Sequence, residues 1–309
     1  MVLIDGFPMM AYASVMEPFR AANHLADEHL YDWQHLAVSG GEVRASNGVT
    51  FHADHDLEAD TDYDIVFVCA GGNPKDIRAG RLLSWLRRVE RTGCRIGGVS
   101  AGPFVLALAG LLDGYRCTIH WDHMPAFIET FPHLRVEGGL YVIDRGRLTC
   151  AGGIAGLDLA INLIAEDHGA DLATAVRDWY ISAEVRGGAG TQRSSLTERY
   201  GVRHDGLLKV LAYMEANIEE PAPRRERARI AGLSLRQLDR LFSSHLGETV
   251  SDHYHRIRLD HGRHLLQETA MPVTEVALAC GYANAQHFSK KFKERFGLPP
   301  GKWARPRTA

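Results

Sequence analysis

The strongest constraint on the fold is a change in the apolar pattern beyond the middle of the chain. From residue 1 to about 185, short apolar runs alternate with helical patterns, whereas from residue 206 every apolar pattern is helical. Continuous apolar strands separated by helices predict a largely parallel sheet that is covered on both faces. At 309 residues, the chain is also long enough for two cores. We therefore predict an α/β domain at 1–185, a linker at 186–205 and an all-α domain at 206–309.

The α/β domain is predicted from alternating strand and helix patterns. Strands are expected at 2–4, 33–38, 65–70, 95–99, 141–144 and 148–151, and helices at 11–25, 77–90, 103–109, 124–131 and 154–168. A further short strand is expected at Thr118–Ile119, just before a helix start. In sheets of this kind, ligands bind beyond the carboxyl ends of the strands. The residues that follow these strands are therefore the candidates for a site.

One strand end carries the motif Gly98-x-Ser100-x-Gly102. This is the spacing of a nucleophile elbow, in which glycines permit a strained strand-to-helix turn that presents a serine at the helix N-terminus. His120 is a candidate general base, with Asp122 as a nearby acid. The alternative for His120 is a hydrogen-bonded histidine at a strand end. The motif alone is consistent with a serine hydrolase and also with a binding crevice.

The same crevice has groups that bind without reacting. Gly71 and Gly72 follow the strand at 65–70, and their amides with that of Ala101 predict an oxyanion hole or an anion-binding nest, unless the two glycines only form a turn. The aromatic face of Trp121 suits a cation. Trp179 is interpreted as core or dimer packing. The predicted ligand-binding residues are Asn47, Gly71, Gly72, Ser100, Ala101, His120 and Trp121.

The all-α domain contains two helix-turn-helix patterns in tandem. Turns around Gly232 and Gly281 each join a short helix to a second amphipathic helix, and a long helix at 249–267 connects the two units. A repeat raises the specificity of the pattern well above that of either unit alone. The long helix spans roughly 27 Å, so the two second helices are expected to enter successive major grooves of DNA.

The second helix of each unit has an apolar face and a polar, basic face. In the last unit Phe288, Phe292 and Phe296 recur every four residues, which predicts a core stripe. Groups on the opposite faces are able to bond base edges and phosphates. The predicted DNA-binding residues are Arg236, Gln237, Arg240, Gln286, Ser289, Lys290 and Lys293.

The charges and the cysteines limit the kinds of partner and the cellular compartment that we expect for this protein. The net charge is −3, but Lys and Arg exceed Asp and Glu from Arg203 onward, so a basic segment follows an acidic body. A basic segment of this kind favours a polyanionic partner. The five cysteines are scattered singly, which argues against a disulfide framework. With no signal peptide or membrane span in the sequence, we expect a cytoplasmic protein without metal or cofactor.

The first domain resembles the class I glutamine-amidotransferase-like superfamily in IVFVCAGG, IGGVSAGPFVLALAGLLDG, TIHW and LTCAGGIAGLDLAINLI. More narrowly, it resembles the sensor domains of amidotransferase-like transcription regulators in GFPMMAYASVMEPFRAAN and VRASNGV. The resemblance implies a flavodoxin-like α/β sandwich. In the superfamily's enzymes, a cysteine stands at the position of Ser100, a paired histidine matches His120, and a supporting acid matches Ser14. Because the thiol and the acid are both missing, no enzymatic activity is expected.

The second domain is similar to the DNA-binding domain of AraC-family transcription regulators in SLRQLDRLFSSHLGETVSDHYHRIRLDHGRHLLQET and VTEVALACGYANAQHFSKKFKERFGLPPGKW. One position departs from that pattern, because Arg227 precedes Ala228 where an apolar residue is usual. Arg227 either weakens the packing or snorkels to a phosphate.

Together, the two resemblances imply a sequence-specific transcription regulator that acts as a homodimer and activates a catabolic operon. Its effector would be a small amino-acid-like or quaternary ammonium metabolite, since relatives of this type respond to compounds such as arginine, carnitine or glycine betaine. Two alternatives stay open. One is a serine hydrolase or amidase, using Ser100 and His120, fused to a DNA-targeting domain, and the other is a first domain with a purely interaction or scaffold role.

Overall fold

The chain divides into two compact units, Met1–Gln192 and Arg193–Ala309, which we call the first and second units. The computed structural model of the protein describes residues 1–38, 41–57, 62–73, 80–182 and 184–303. Within these residues, no helix is long and apolar enough to cross a membrane. All five cysteines are buried as free thiols.

The first unit alternates strands and helices along the chain. Its strands are β1 (Val2–Leu3), β2 (Leu36–Ala37), β3 (Glu42–Arg44), β4 (Thr50–His52), β5 (His55–Asp56), β6 (Ile65–Ala70), β7 (Arg95–Ser100), β8 (Arg116–Cys117), β9 (Arg135–Val136), β10 (Tyr141–Asp144) and β11 (Arg147–Cys150). Its helices are α1 (Met9–Ala26), α2 (Gly80–Glu90), α3 (Gly102–Leu108), α4 (Met124–Thr130), α5 (Ala155–His168) and α6 (Ala170–Trp179).

Seven of the described strands form one sheet in the order β10-β11-β7-β6-β1-β2-β5. Every neighbouring pair in it is parallel except the hairpin of β10 with β11. The remaining strands form a β3–β4 hairpin and a short parallel β8–β9 pair. The sheet thus has a parallel centre with one antiparallel edge strand, and the predicted fold class is confirmed.

Apolar residues of β6 point alternately to two cores, as the period of a strand requires. Phe67 and Cys69 face a core formed with α1, α5 and α6, whereas Val66 and Val68 face a core formed with α2 and α3. Because both faces are covered by helices, the central strands are apolar throughout, which is why the sequence showed them as continuous apolar runs.

The second unit is helical throughout its described residues. Its elements are α7 (Leu196–Tyr200), α8 (Asp205–Ala216), α9 (Arg224–Ala231), α10 (Leu235–Leu246), α11 (Val250–Glu268), α12 (Val273–Ala279), α13 (Ala285–Phe296) and α14 (Pro300–Trp303). Helices α9 and α10 pack on α8 and the start of α11, and α12 and α13 pack on the end of α11. The unit therefore has two small cores joined by one long helix.

Helix boundaries in the second unit follow the capping chemistry of the sequence. Ser234 forms a capping box at the start of α10, and the Asn284 side chain accepts a hydrogen bond from the His287 amide at the start of α13. Gly247 and Gly297 end the same two helices in the left-handed conformation. Each short side chain or glycine replaces the hydrogen bonds that a helix end leaves unmade.

Some expectations about local structure differ from what is observed. Thr118 and Ile119 are not in a strand, because β8 ends at Cys117 and the Thr118 hydroxyl bonds instead to Gly139 O. Strands β3, β4, β5, β8 and β9 and helix α6 were not anticipated. The helix expected at 77–90 is observed at Gly80–Glu90, and residues 77–79 lie outside the described residues.

The segment expected as a linker, 186–205, contains the boundary between the two units but is ordered on both sides of it. Arg186 forms three hydrogen bonds with the buried carboxylate of Asp158. Gln192 donates to Thr118 Oγ1, Ile119 O and Gly139 O at 3.1, 3.0 and 2.7 Å. Helix α7 then follows with its own capping box. Polar hydrogen bonds, which apolar periodicity does not register, hold this segment in place.

Candidate functional site

The elbow at the end of β7 has the geometry that its two glycines predict. Ser100 has a φ of 61°, is 5% exposed, and is followed directly by α3. A Cβ at Gly98 would lie 2.6 Å from the Pro103 nitrogen, and a Cβ at Gly102 would lie 2.0 Å from Val68 O. Only glycine permits these two approaches, so the turn that presents Ser100 is fixed by close backbone packing.

Three other strand ends meet at Ser100. After β11, Gly152 lies so close that its Cβ would be 2.8 Å from the Ser100 Cβ and 3.3 Å from the Cβ of Ala11 on α1. After β6, Gly71 packs on the loop that follows β1, where its Cβ would be 2.5 Å from Gly6 O. The carboxyl ends of β1, β6, β7 and β11 thus converge on one crevice, as expected for an open α/β sheet.

The Ala101 amide does not have the role that was predicted for it. Its N–H donates to Ala70 O at 3.0 Å, which extends the pairing of β6 with β7 by one residue. An amide used in this way is not free to bind an oxyanion or a ligand. Ala101 is therefore corrected from a ligand donor to a structural link. Gly71 has a packing role, and Gly72 supplies a turn with a φ of 70°.

The main chain of His120 is hydrogen-bonded to the elbow. Its N–H donates to Ser100 O at 3.4 Å, and its Nδ1 accepts a hydrogen bond from the Asp122 amide at 3.3 Å. In the neutral ring this acceptor role places the proton on Nε2. Burial lowers the pKa of His120, the neighbouring His123 lowers it further, and Asp122 opposes them. The lowered pKa favours the neutral ring, in which Nε2–H is the donor.

A serine hydrolase built on this elbow would use the side chains of Ser100 and His120 as nucleophile and base. Among the described residues, no side-chain hydrogen bond joins Ser100 to His120. Activating a serine requires an unprotonated ring nitrogen within hydrogen-bond reach of its hydroxyl. At the position expected for the supporting acid, the Ser14 hydroxyl donates to Ala11 O within α1.

The remaining ligand candidates are placed differently. Trp121 is 40% exposed, and its ring centroid lies 5.5 Å from that of His120. Asn47 is exposed in the β3–β4 turn, where its side-chain oxygen accepts from the Val49 amide at 3.2 Å. The structure brings Trp121 and His120 together, whereas among the described residues no hydrogen bond joins Asn47 to either of them. Trp179 is half-exposed and contacts His24, so it is not part of the core.

The second unit places the predicted DNA-binding side chains on the outer faces of α10 and α13. On α10, Leu238 and Phe242 are buried, and Arg236 and Arg240 are exposed. Neither arginine forms an ion pair with any described residue, in contrast to Arg224, which pairs with Asp239. Unpaired cations one helical turn apart on one face are suited to a polyanion.

Gln237 has a second role that the sequence analysis did not assign to it. Its side-chain oxygen accepts from the Ser234 amide at 2.9 Å and from the Ser234 hydroxyl at 2.7 Å, completing the capping box of α10. The pattern S-x-x-Q before an apolar run is typical of a capping box, and it was the sequence feature that could have indicated this role. Only the side-chain NH2 of Gln237 remains for a base or a phosphate.

On α13, the equivalent face is built from different residue types. Phe288 and Phe292 are buried, whereas Gln286, Lys290 and Lys293 are exposed and Ser289 is half-buried. Lys291 and Arg295 are neutralised by Glu294 and Asp260, respectively. The two helices match with a constant offset of 50 residues from Arg236–Gln286 to Phe242–Phe292. This register also places the exposed His287 and Ser243 on the outer faces, which residue type alone had not indicated.

Each of the two units matches a known protein family. Residues 2–166 match the DJ-1/PfpI family, and residues 227–306 match a helix-turn-helix domain. The chain is 47% identical over 302 residues to the HTH-type transcriptional regulator GlxA of Rhizobium meliloti (strain 1021), covering 97% of this chain and 93% of that protein. It is 40% identical over 299 residues to the HTH-type transcriptional regulator CdhR of Pseudomonas aeruginosa, covering 97% and 89%.

The chain belongs to the family of HTH-type transcriptional regulators with a DJ-1/PfpI domain. Among solved structures, it is similar to an AraC family transcriptional regulator from Pseudomonas putida, with a TM-score of 0.54, 26% identity, and coverage of 58% of this chain and 96% of that one. The predicted resemblance is confirmed for both units. This regulator is a DNA-binding transcription regulator, and the convergence of strand ends described above lies in its DJ-1/PfpI unit.

Proposed function

We propose that this regulator reads duplex DNA with the outer faces of α10 and α13. The observation that carries the proposal is the pair of unpartnered cations on each helix, set opposite a buried apolar stripe. Helix α11, which connects the two helix-turn-helix units, is 19 residues long and spans roughly 28 Å. With the widths of the helices added, this separation approaches the 34 Å of one DNA turn. The residues assigned to DNA are Arg236, Gln237, Arg240, Gln286, Ser289, Lys290 and Lys293.

Alanine substitution on each helix tests this assignment. Arg240→Ala and Lys290→Ala are each expected to lower the affinity for DNA and to reduce the slope of log affinity against log salt by about 1, because each removes one cation from the interface. The measurement is fluorescence anisotropy on a mixed-sequence duplex of roughly 40 base pairs, or four turns of B-DNA. Lys209→Ala on the exposed face of α8 is the control, with the same loss of charge. Equal slopes for all three variants would contradict the assignment.

We infer that the crevice around Ser100 binds a small amino-acid-like or quaternary ammonium effector. The Nε2–H of His120 and the Ser100 hydroxyl are donors for a carboxylate, and the aromatic ring of Trp121 beside His120 suits a cation at the other end of a zwitterion. Occupancy then changes the affinity for DNA. In this view the regulator is a cytoplasmic activator of a catabolic operon.

Thermal unfolding tests the effector proposal, since a ligand that binds only the native state raises apparent stability. Arginine, carnitine and glycine betaine are suitable probes, with neutral sugars as matched negative ligands. A rise in Tm that disappears in His120→Ala and Trp121→Ala supports the crevice as the site. A rise that persists in both variants places the ligand elsewhere.

A homodimer is the assembly we propose for the regulator. The support is local: Ile181 is 94% exposed and lies two residues from the half-exposed Trp179. Adjacent exposed apolar side chains favour burial against a second copy. Light scattering measures the mass directly, and Ile181→Asp together with Trp179→Ala should give a monomer if this face forms the interface.

We also propose that the DJ-1/PfpI unit of this regulator does not hydrolyse a substrate. The Ala101 amide is occupied by Ala70 O, and the Nδ1 of His120 already accepts a main-chain hydrogen bond. A serine-reactive fluorophosphonate probe is the direct test. Labelling of the wild type that is lost in Ser100→Ala and in His120→Ala would refute the proposal.

A further inference from the structure

Arg227 occupies a position that is apolar in the other half of the repeat. The turn glycines Gly232 and Gly281 set the register between α9 and α12, and this register matches Arg227 to Val276 and Ala228 to Ala277. Val276 is fully buried in the core of the second helix-turn-helix. A long cationic side chain in α9 therefore starts from a place where the fold requires an apolar one.

The Arg227 guanidinium has no hydrogen-bond partner among the described residues. The residue is 9% exposed, and its Nε is buried without a partner. The guanidinium carbon lies 5.4 Å from the centroid of the Tyr254 ring, which gives a cation–π contact. Burial lowers the pKa of Arg227. A buried N–H donor without an acceptor is costly, because it loses water and gains no hydrogen bond.

The charges around Arg227 do not supply an acceptor. Arg224 pairs with Asp239 of α10, a carboxylate whose charge also acts on Arg227. Arg258 donates from Nε to Cys280 O at 2.6 Å and from NH2 to Gly281 O at 2.5 Å. Both neighbouring arginines are thus satisfied, and the one carboxylate is taken. The buried Nε–H of Arg227 thus has no acceptor among the described residues.

We propose that Arg227 is a phosphate-binding residue that acquires its acceptor when the regulator binds DNA. The first helix of a helix-turn-helix crosses the DNA backbone. In the first of the two helix-turn-helix motifs, that helix is α9. An arginine side chain pivots along its aliphatic stem and brings its guanidinium to the surface, where a phosphate oxygen accepts two N–H bonds. The proposal rests on the engagement of DNA by α10 proposed above.

Replacement by an apolar residue separates the two roles of this side chain. Arg227→Leu places an apolar residue in the core position and is expected to raise the Tm of the protein, because the unsatisfied charge is removed. The same change is expected to weaken binding to the mixed-sequence duplex by about three- to tenfold and to reduce the salt slope by about 1. Arg227→Lys keeps a charge and is expected to retain most of the slope.

Lys209→Leu on α8 is the matched control, since it exchanges an exposed cation for the same apolar residue. An Arg227→Leu protein that is more stable and keeps the wild-type affinity and slope would overturn the phosphate role. If Arg240→Ala lowers the affinity in the same assay, only the role of Arg227 has failed. If neither variant changes binding, the engagement of DNA by α10 has failed as well. Should Arg227→Leu not fold, the loss of slope in Arg227→Gln decides in its place.

Discussion

Substitution of Gly102 tests the packing that forms the elbow. A Cβ at this position would lie 2.0 Å from Val68 O, and real Cβ atoms essentially never approach another heavy atom within 3.0 Å. About 1 Å of movement is therefore needed between α3 and β6. Bending one bond angle by about 7° costs about 1 kcal/mol and moves an atom on a single bond by only about 0.2 Å. Local distortion cannot provide the movement, so the helix or the strand must shift.

We expect Gly102→Ala to lower the free energy of unfolding of the first unit by at least about 3 kcal/mol, at the upper end of overpacking costs. Gly72→Ala is the control, because Gly72 has a φ of 70° and no described atom within 4 Å of its Cβ position. It should lose only about 1 kcal/mol from backbone strain. Both changes stiffen the unfolded chain equally, so the difference between them is the cost of the clash with Val68 less the backbone strain at Gly72.

The assay is urea unfolding of the full chain, followed by hydrogen exchange in peptides from β6 and β7. For a unit of this size, about 3 kcal/mol corresponds to a loss of roughly 6 to 12 °C in Tm. If Gly102→Ala and Gly72→Ala are equally stable within about 1 kcal/mol, the reasoning from the Val68 contact is wrong.

Three further predictions concern the second unit. Phe292→Ala should cost about 3 to 5 kcal/mol, because its fully buried ring is removed from the core of the last helix-turn-helix; chemical denaturation measures it, with exposed Lys293→Ala as control. Asn284→Ala should cost about 1 kcal/mol by removing the side-chain acceptor at the start of α13, and thermal unfolding of Asn284→Asp, which keeps an acceptor, should approach the wild type. Burial lowers the pKa of His253 in the folded unit, so the unfolded chain binds the proton more readily and stability is lost as pH falls below about 6.5, by at most about 1.4 kcal/mol per pH unit. Unfolding of His253→Gln between pH 7 and pH 5 should show a shallower dependence, and an unchanged one would count against this origin.

The parts of the fold that sequence predicts well are those where one physical signal acts alone. The strand Ile65–Ala70 is buried on both faces, so its apolar run coincides with the observed bounds. Gly232 ends α9 in the left-handed conformation. The turn of the first helix-turn-helix was predicted from this glycine. Strands of two residues such as β8 (Arg116–Cys117) are too short to show a period, and they form because neighbours distant in the chain offer hydrogen bonds.

The candidate site was predictable in its position but not in its hydrogen bonding. The convergence of Ser100 with Gly152 follows from the rule that parallel strands end at the same edge. Whether the Ala101 amide points to a ligand or to Ala70 depends on the last residue of strand pairing, and no sequence pattern reports it. In the same way, Arg227 was visible as a departure from the family, whereas its missing acceptor became apparent only from its surroundings.

The strained elbow of this regulator is intelligible without catalysis. A non-glycine residue held at a φ of 61° costs of order 1 to 3 kcal/mol, and the packing of Gly98 and Gly102 holds it there. In a hydrolase that cost positions a nucleophile, whereas in the binding role that we propose it positions the Ser100 hydroxyl, since the Ala101 amide is already bonded to Ala70 O. The effector binding that we propose needs no chemical step, because an effector at 100 times its Kd stabilises the bound state by about 2.7 kcal/mol. That free energy lies within the 1 to 3 kcal/mol typical of coupling between two sites, which is the size that the proposed control of DNA affinity requires.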